Sequence, residues 1–150
     1  MRALMIALLA MTCPAAAISE TDEDQVLIVC EAPKGWSFYA DTQPEEADNW
    51  KPGGFRKGET IRLIRRKDGS MSVEFRDGGE LLRPANDGAL ISRLPETDAP
   101  TFLVNRGGKT LELYTFHIEL GKLYWSRHRT GDLLPGVAAF EADCRQGTQA

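Results

Sequence analysis

Apolar and polar residues alternate most regularly between Phe102 and His128, the longest strand-like stretch of the chain. Alternation with a period of two predicts β-strands that bury one face. Two glycine-containing segments interrupt it, RGGK at 106–109 and ELGK at 119–122. We therefore expect three antiparallel strands joined by two tight turns at the centre of the fold.

The register of these strands follows from the turns. A two-residue Gly-Gly loop in the first turn would place Phe102 opposite Leu113, and both residues are apolar. A four-residue loop in the second turn would place Phe116 opposite Trp125 and Ile118 in the core. The inward positions of the middle strand would then change from odd to even numbers. This change predicts either a strand buried on both sides or a β-bulge near Leu113 to Tyr114, and the polar Glu112 and His117 favour the bulge.

A second hairpin is predicted between Glu59 and Arg76. A two-residue Asp-Gly turn would mix charged residues with the core. A three-residue loop with Gly69 in the left-handed conformation pairs Leu63 with Val73 instead, so we expect that register.

Short apolar runs predict the remaining strands, which are Val26–Cys30, Trp36–Ala40, Glu80–Arg83, Ala89–Ser92 and Val137–Cys144. No segment beyond residue 17 has helical periodicity. Residues 26–144 therefore predict one all-β domain, an antiparallel barrel or sandwich of about eight strands. The segment from Thr42 to Gly58 is predicted to be a long loop, either ordered or disordered, and its Trp50 and Phe55 indicate that it folds back or offers a binding surface.

The N-terminus has the composition of a secretory signal helix at residues 1–17. It begins with Met1-Arg2, continues with an apolar run and offers a cleavage site after Ala17. The apolar run is too short to span a bilayer. We therefore expect a periplasmic or secreted protein without a membrane span, with a mobile acidic tail at 18–25 and a frayed tail at 145–150.

Cleavage at this site would remove Cys13 and leave Cys30 and Cys144, one near each end of the domain. In an oxidising compartment such a pair predicts a disulfide. The bridge requires Cα atoms within about 6 Å, so the first and last strands are expected to be neighbours.

Charge excludes one class of partner and suggests another. The formal net charge is −4, so we expect no nucleic-acid binding. Arg62, Arg66 and Arg76 follow the predicted hairpin and would dock an anionic surface or an acidic partner. More often, such a run of basic residues is a solvated edge that discourages sheet-to-sheet aggregation.

Catalytic and metal signals are sparse. The chain contains no Gly-x-Ser-x-Gly, His-Glu-x-x-His or Cys-x-x-Cys motif. Its two histidines are predicted to lie about 13 Å apart along the strands, too far to share an ion, so we expect no metal and no cofactor. The predicted register places Thr115 opposite Ser126, near His128. These three residues form either a polar cluster or an ordinary outward strand face.

The segment from Tyr124 to His128, a Gly and Pro loop and a strand ending at Cys144 together resemble short exported proteins of Gram-negative bacteria. These proteins carry a Ser-Arg-His hairpin strand and a C-terminal cysteine. They have no assigned activity, so the resemblance implies compartment and fold. This chain differs in having Asp143 before the cysteine. A further comparison is the C-type lysozyme inhibitors of the periplasm, small disulfide-bearing barrels whose Ser-Gly-x-x-Tyr motif is absent here.

The leading interpretation is a non-catalytic binding or envelope-accessory protein. A second hypothesis is a small-molecule carrier with a barrel cavity lined by Phe75, Tyr114, Phe116 and Trp125. A lysozyme-inhibitor-like protein is a third hypothesis, and a hydrolase is the one that the sequence favours least.

Overall fold

A computed structural model describes residues 24–40, 50–77, 79–95, 98–130 and 135–147. Within these ranges the chain forms ten β-strands and a short 3-10 helix, Pro84–Asp87. The strands are β1 (Gln25–Tyr39), β2 (Trp50–Gly54), β3 (Thr60–Arg65), β4 (Met71–Asp77), β5 (Glu80–Leu82), β6 (Leu90–Arg93), β7 (Thr101–Arg106), β8 (Thr110–His117), β9 (Lys122–Arg129) and β10 (Gly136–Gln146). The predicted signal helix and residues 18–23 and 148–150 of the predicted tails lie outside the described residues. Gln25 already belongs to β1.

All strand pairs are antiparallel and belong to one sheet, in the order β5-β4-β3-β1-β10-β9-β8-β7-β6. β2 pairs with the second half of β1, next to β3 along the same edge. The sheet curls into a half-barrel, which confirms the predicted antiparallel all-β class. The described part of the chain contains no helix long and apolar enough to cross a membrane.

The concave face of the sheet holds the core. Tyr114, Trp125 and Phe140 come from three adjacent strands and form a row of stacked rings, with centroids 5.5 Å and 4.7 Å apart. Burying side chains of this size stabilises the fold by about 1.5 to 3 kcal/mol each. Phe75 packs edge-on against Tyr114, and Phe116 is fully buried. The residues expected to line a carrier's cavity therefore make contacts within the core.

The first and last strands are neighbours, as predicted. Cys30 lies opposite Cys144, and their sulfurs form a disulfide with an S–S distance of 2.08 Å. A single strand, β1, includes Val26–Cys30 and all but the last residue of Trp36–Ala40, the two strands predicted near the N-terminus, because the chain between them continues through a bulge. The pairing shifts after Glu31, and Ala32 adopts a positive φ of 42° there.

The β3–β4 hairpin has the predicted register. Leu63 lies opposite Val73, and Gly69 has a φ of +79° in the predicted loop. Glu74 is almost fully buried although it projects from the convex face, with its carboxylate 2.6 Å from Arg83 Nε.

The predicted register of β7–β8 is wrong by one residue. Phe102 lies opposite Tyr114, because the loop contains three residues, 107–109. β8 pairs continuously with both neighbouring strands, so the predicted bulge is wrong. Even-numbered residues face inward along the whole of β8, and they include Glu112, which is 5% exposed. The Arg106 guanidinium neutralises this carboxylate at 3.1 Å.

The predicted register of β8–β9 is wrong by two residues. Phe116 lies opposite Leu123, and Tyr114 lies opposite Trp125. A shift of two keeps each side chain on its face, so the predicted inward aromatic residues remain inward. Ile118 is the exception, since it falls in the turn and is 54% exposed.

Candidate functional site

Four aromatic residues share the convex face of the sheet near the β1–β10 pairing. They are Trp36, Phe38, Trp50 and Tyr124, and we call them the outer aromatic patch. Trp36, Trp50 and Tyr124 are 54%, 47% and 43% exposed, respectively. Side chains of this size are rarely left in water together, because exposing apolar area is costly.

The strand period explains how the patch forms. Trp36 and Phe38 lie two residues apart on β1 and therefore project from the same face. Trp50 of β2 lies opposite Phe38, and their rings are 5.7 Å apart. Tyr124 joins from β9, two strands away.

A shallow groove of about 660 Å³ runs along the patch between Trp36 and Tyr124. Ala139 lies opposite Trp36, and its small side chain leaves the space between the two aromatic rings open. Lys34 and Glu141 form a cross-strand pair at the same groove. The groove thus combines an exposed apolar surface with charges of both signs.

The two aromatic residues predicted to bind a partner lie on opposite faces. Trp50 belongs to the outer aromatic patch. Phe55 folds back onto the concave face, where its ring lies 5.2 Å from Trp125 and 6.1 Å from Phe140. Trp36 and Tyr124 were not among the predicted site residues, although strand alternation alone places each of them outward.

The predicted basic residues are spread along the whole length of the β3–β4 hairpin. Arg66 lies near the β3–β4 loop, where its guanidinium donates to Ser72 Oγ at 3.3 Å. Arg76 lies near the far end of the hairpin and lines a cleft there. Arg62 is half-buried between them, opposite Glu74.

The predicted polar cluster does not assemble as a cross-strand pair. Thr115 lies opposite Tyr124 instead of Ser126, and its hydroxyl is 3.3 Å from that of Thr101. Ser126 lies opposite Leu113, while His128 lies further along, opposite Leu111. No group of three or more histidine, cysteine, aspartate or glutamate side chains that could hold a metal occurs within the described ranges.

Two electrostatic features accompany these surfaces. Burial raises the pKa of the Tyr114 hydroxyl well above its usual value of 10.0, and the Glu112 carboxylate raises it further. On the convex side, a hydrogen bond from Lys122 lowers the pKa of the Asp143 carboxyl, and the same 2.7 Å contact raises the pKa of Lys122. Because its pKa is raised, the Tyr114 hydroxyl keeps its proton in the folded protein.

Comparison with known proteins identifies no relative: no protein-family model, no curated protein and no solved structure matches this chain.

Proposed function

We propose that this protein is an exported, non-catalytic binding domain that docks a protein or another envelope component on its outer aromatic patch. The observation that carries the proposal is the exposure of Trp36 and Tyr124 on either side of one groove, with the exposed Trp50 on the same face beside Phe38. Tryptophan and tyrosine are the residues most enriched at the energetic centres of protein interfaces.

The scaffold beneath the patch supports this role. Trp36, Phe38 and Tyr124 stand on regular strands, and Trp50 stands on a strand paired with them. The Cys30–Cys144 disulfide joins β1 to β10, the strand that lies between β1 and β9. A rigid surface loses little conformational entropy when a partner binds, so more of the contact energy appears as affinity.

Export is part of the proposal. The disulfide is compatible with an oxidising compartment, and the signal-like composition of residues 1–17 supports transport there. We expect the mature protein to fractionate with the periplasm or the medium, and mass spectrometry to find Ile18 as its first residue. Recovery of the uncleaved chain from the cytosol, with both thiols free, would overturn this part.

Two variants test the binding role. One removes the exposed residues of the patch, and the other removes the same number of exposed apolar residues elsewhere on the surface. The patch variant is Trp36→Ala, Trp50→Ala and Tyr124→Ala. The control is Leu90→Ala, Ile118→Ala and Leu120→Ala, whose side chains are 71%, 54% and 65% exposed. All six positions are on the surface, so both variants are expected to fold.

Immobilised wild-type protein, patch variant and control are compared for what each retains from an envelope extract. We expect the wild type and the control to retain the same component, and the patch variant to lose it at least tenfold. Equal retention by all three proteins would show that the patch is not the docking surface.

A further inference from the structure

A second surface lies on the concave side of the sheet, at one open end of the half-barrel. Residues from several strands line a cleft there of about 260 Å³. The aromatic residues Phe55, Phe75 and Trp125 contribute its apolar part. This volume is slightly below the range of about 300 to 1,000 Å³ that is usual for ligand sites, so the cleft would admit a small molecule.

Trp125 holds an unused hydrogen-bond donor at this cleft. Its side chain is only 3% exposed, yet its indole Nε1 has no hydrogen-bond partner among the described residues. Leaving a buried N–H unpaired costs about 1 to 3 kcal/mol. Tyr114 and Phe140 stack against Trp125, so the donor is held in place. A ligand that offers an acceptor atom to Nε1 would recover part of that cost.

The charges of the cleft leave a positive surplus on one side. Four arginines and three carboxylates line it. Arg106 lies 3.1 Å from Glu112 and 3.8 Å from Asp87, so it accounts for two of those carboxylates. Asp77 is the third, and it neighbours Arg76 in sequence.

The surplus lies on β9, in Arg127 and Arg129. Neither guanidinium forms an ion pair among the described residues. Arg127 lies over the Trp125 ring at 5.6 Å and donates one hydrogen bond to the Tyr39 hydroxyl at 3.2 Å. A guanidinium carries five N–H donors in a fork that matches a carboxylate.

We propose that this cleft binds a small organic anion, with an aromatic carboxylate as its simplest form. The planar body of the ligand packs against Phe55, Phe75 and the edge of Trp125. Its carboxylate accepts hydrogen bonds from Arg127 and Arg129 and from Trp125 Nε1. This inference does not depend on the function proposed for the convex face.

Benzoate and its neutral analogue benzamide are suitable probes, because they have the same shape and differ in charge. The chain has three tryptophans, Trp36, Trp50 and Trp125, so an NMR spectrum of the wild-type protein shows three indole N–H signals. Trp36→Phe and Trp50→Phe assign them. We expect benzoate to shift the Trp125 signal saturably at constant ionic strength, leaving the other two in place as internal controls. Benzamide is expected to bind at least tenfold more weakly, a difference of about 1.4 kcal/mol, since it loses the charge assistance of its hydrogen bonds to two guanidinium groups.

Arginine variants test the anion contact. Arg127→Gln is expected to weaken benzoate binding tenfold or more, and Arg127→Lys to weaken it less. Arg129→Gln provides a second variant that leaves the Tyr39 contact intact. Arg65→Gln removes one positive charge outside the cleft and is expected to leave the affinity unchanged.

Three outcomes would overturn the proposal. They are a Trp125 signal that does not respond to benzoate, equal affinities for benzoate and benzamide, and unchanged benzoate binding in both Arg127→Gln and Arg129→Gln. The indole signals themselves report whether each variant is folded.

Discussion

The hairpins β3–β4 and β7–β8 both close through a short glycine-containing loop, yet only the first has a register that is predictable from sequence. The first loop contains one left-handed glycine, Gly69, and the second contains two, Gly107 and Gly108. In β3–β4 the competing register brings charge into the core, so the apolar pattern decides. In β7–β8 the observed register itself buries a carboxylate, Glu112.

The difference shows that an apolar pattern decides a register only when no inward position is charged. Glu112 is tolerated inside because Arg106, six residues earlier on the facing strand, neutralises it. The hairpin thus carries its own counter-ion, and pairing by hydrophobicity alone favours the neighbouring register.

The largest expected effect concerns the Cys30–Cys144 disulfide. This bond joins the half of the sheet that contains β3–β4 to the half that contains β7–β8. Replacing Cys30 and Cys144 with alanine is expected to lower the free energy of unfolding by about 4 to 5 kcal/mol, because the bridge closes a very long loop in the unfolded chain. Urea denaturation followed by circular dichroism measures it. Wild-type protein treated with a reductant serves as the control and is expected to match the variant. A decrease of less than about 1 kcal/mol in the free energy of unfolding would show that the pairing of β1 with β10 does not depend on the disulfide.

The second-largest effect is expected from removing Arg106, the counter-ion of Glu112 in the β7–β8 hairpin. Arg106→Gln leaves Glu112 buried without a charged partner, and we expect a loss of about 3 kcal/mol, the lower end for buried pairs because Arg106 still reaches water. Arg106→Gln combined with Glu112→Gln is expected to recover most of this loss. Urea denaturation of the single and double variants measures both effects. Equal stability of the single variant and the wild type would mean that the buried pair does not set the register.

The loop glycines allow a matched comparison of the two hairpins. Gly69 and Gly108 have φ values of +79° and +74°, and a Cβ atom at either position would contact nothing within 4 Å. Gly69→Ala and Gly108→Ala are therefore each expected to cost about 1 to 2 kcal/mol, from backbone conformation alone. Chemical denaturation of both variants is the measurement. A markedly larger cost in Gly108→Ala would show that this loop itself decides the register.

Tyr114 makes the β7–β8 hairpin sensitive to alkali. Its folded-state pKa is raised, so the unfolded chain releases the phenolic proton near pH 10 while the folded protein retains it. Stability is full below that pH and declines above it, by about 1.4 kcal/mol for each further pH unit. Tyr114→Phe is expected to flatten this part of the profile. Denaturation series from about pH 9 to about pH 11 compare the two proteins on either side of the ordinary tyrosine pKa, and parallel profiles would contradict the assignment.

The smallest effect tests the Gly-Gly register of β7–β8 directly. Leu111 is 41% exposed, whereas the predicted Gly-Gly register turns it inward. Leu111→Ala is expected to cost under about 1 kcal/mol, compared with about 2 to 5 kcal/mol for a buried leucine. Thermal unfolding distinguishes the two registers. A cost above about 2 kcal/mol would restore the predicted pairing.

Local patterns predicted most of the strands, the β3–β4 register and the disulfide, since each depends on alternation, turn residues or cysteine count. They missed β2 (Trp50–Gly54), which lies in the predicted long loop and has no alternation of its own. The predicted pairing of Thr115 with Ser126 is wrong because it depended on a register that differs from the observed one by two residues. The cleft was beyond prediction for another reason. Phe55, Arg76, Arg106 and Arg127 are distant in sequence and meet only because the whole sheet curls.

One consequence of the β1–β10 pairing concerns the order in which the chain is made. Among the described strands β1 is synthesised first, whereas β10 pairs with one of its edges and carries Cys144, which follows Cys30 by 114 residues. A topology dominated by such distant contacts folds slowly, and an uncovered strand edge invites pairing with other chains. Until Cys144 is synthesised, the Cys30 thiol has no native partner, and β1 cannot pair with β10. Synthesis of β10 is therefore the condition under which the two halves of the sheet can join.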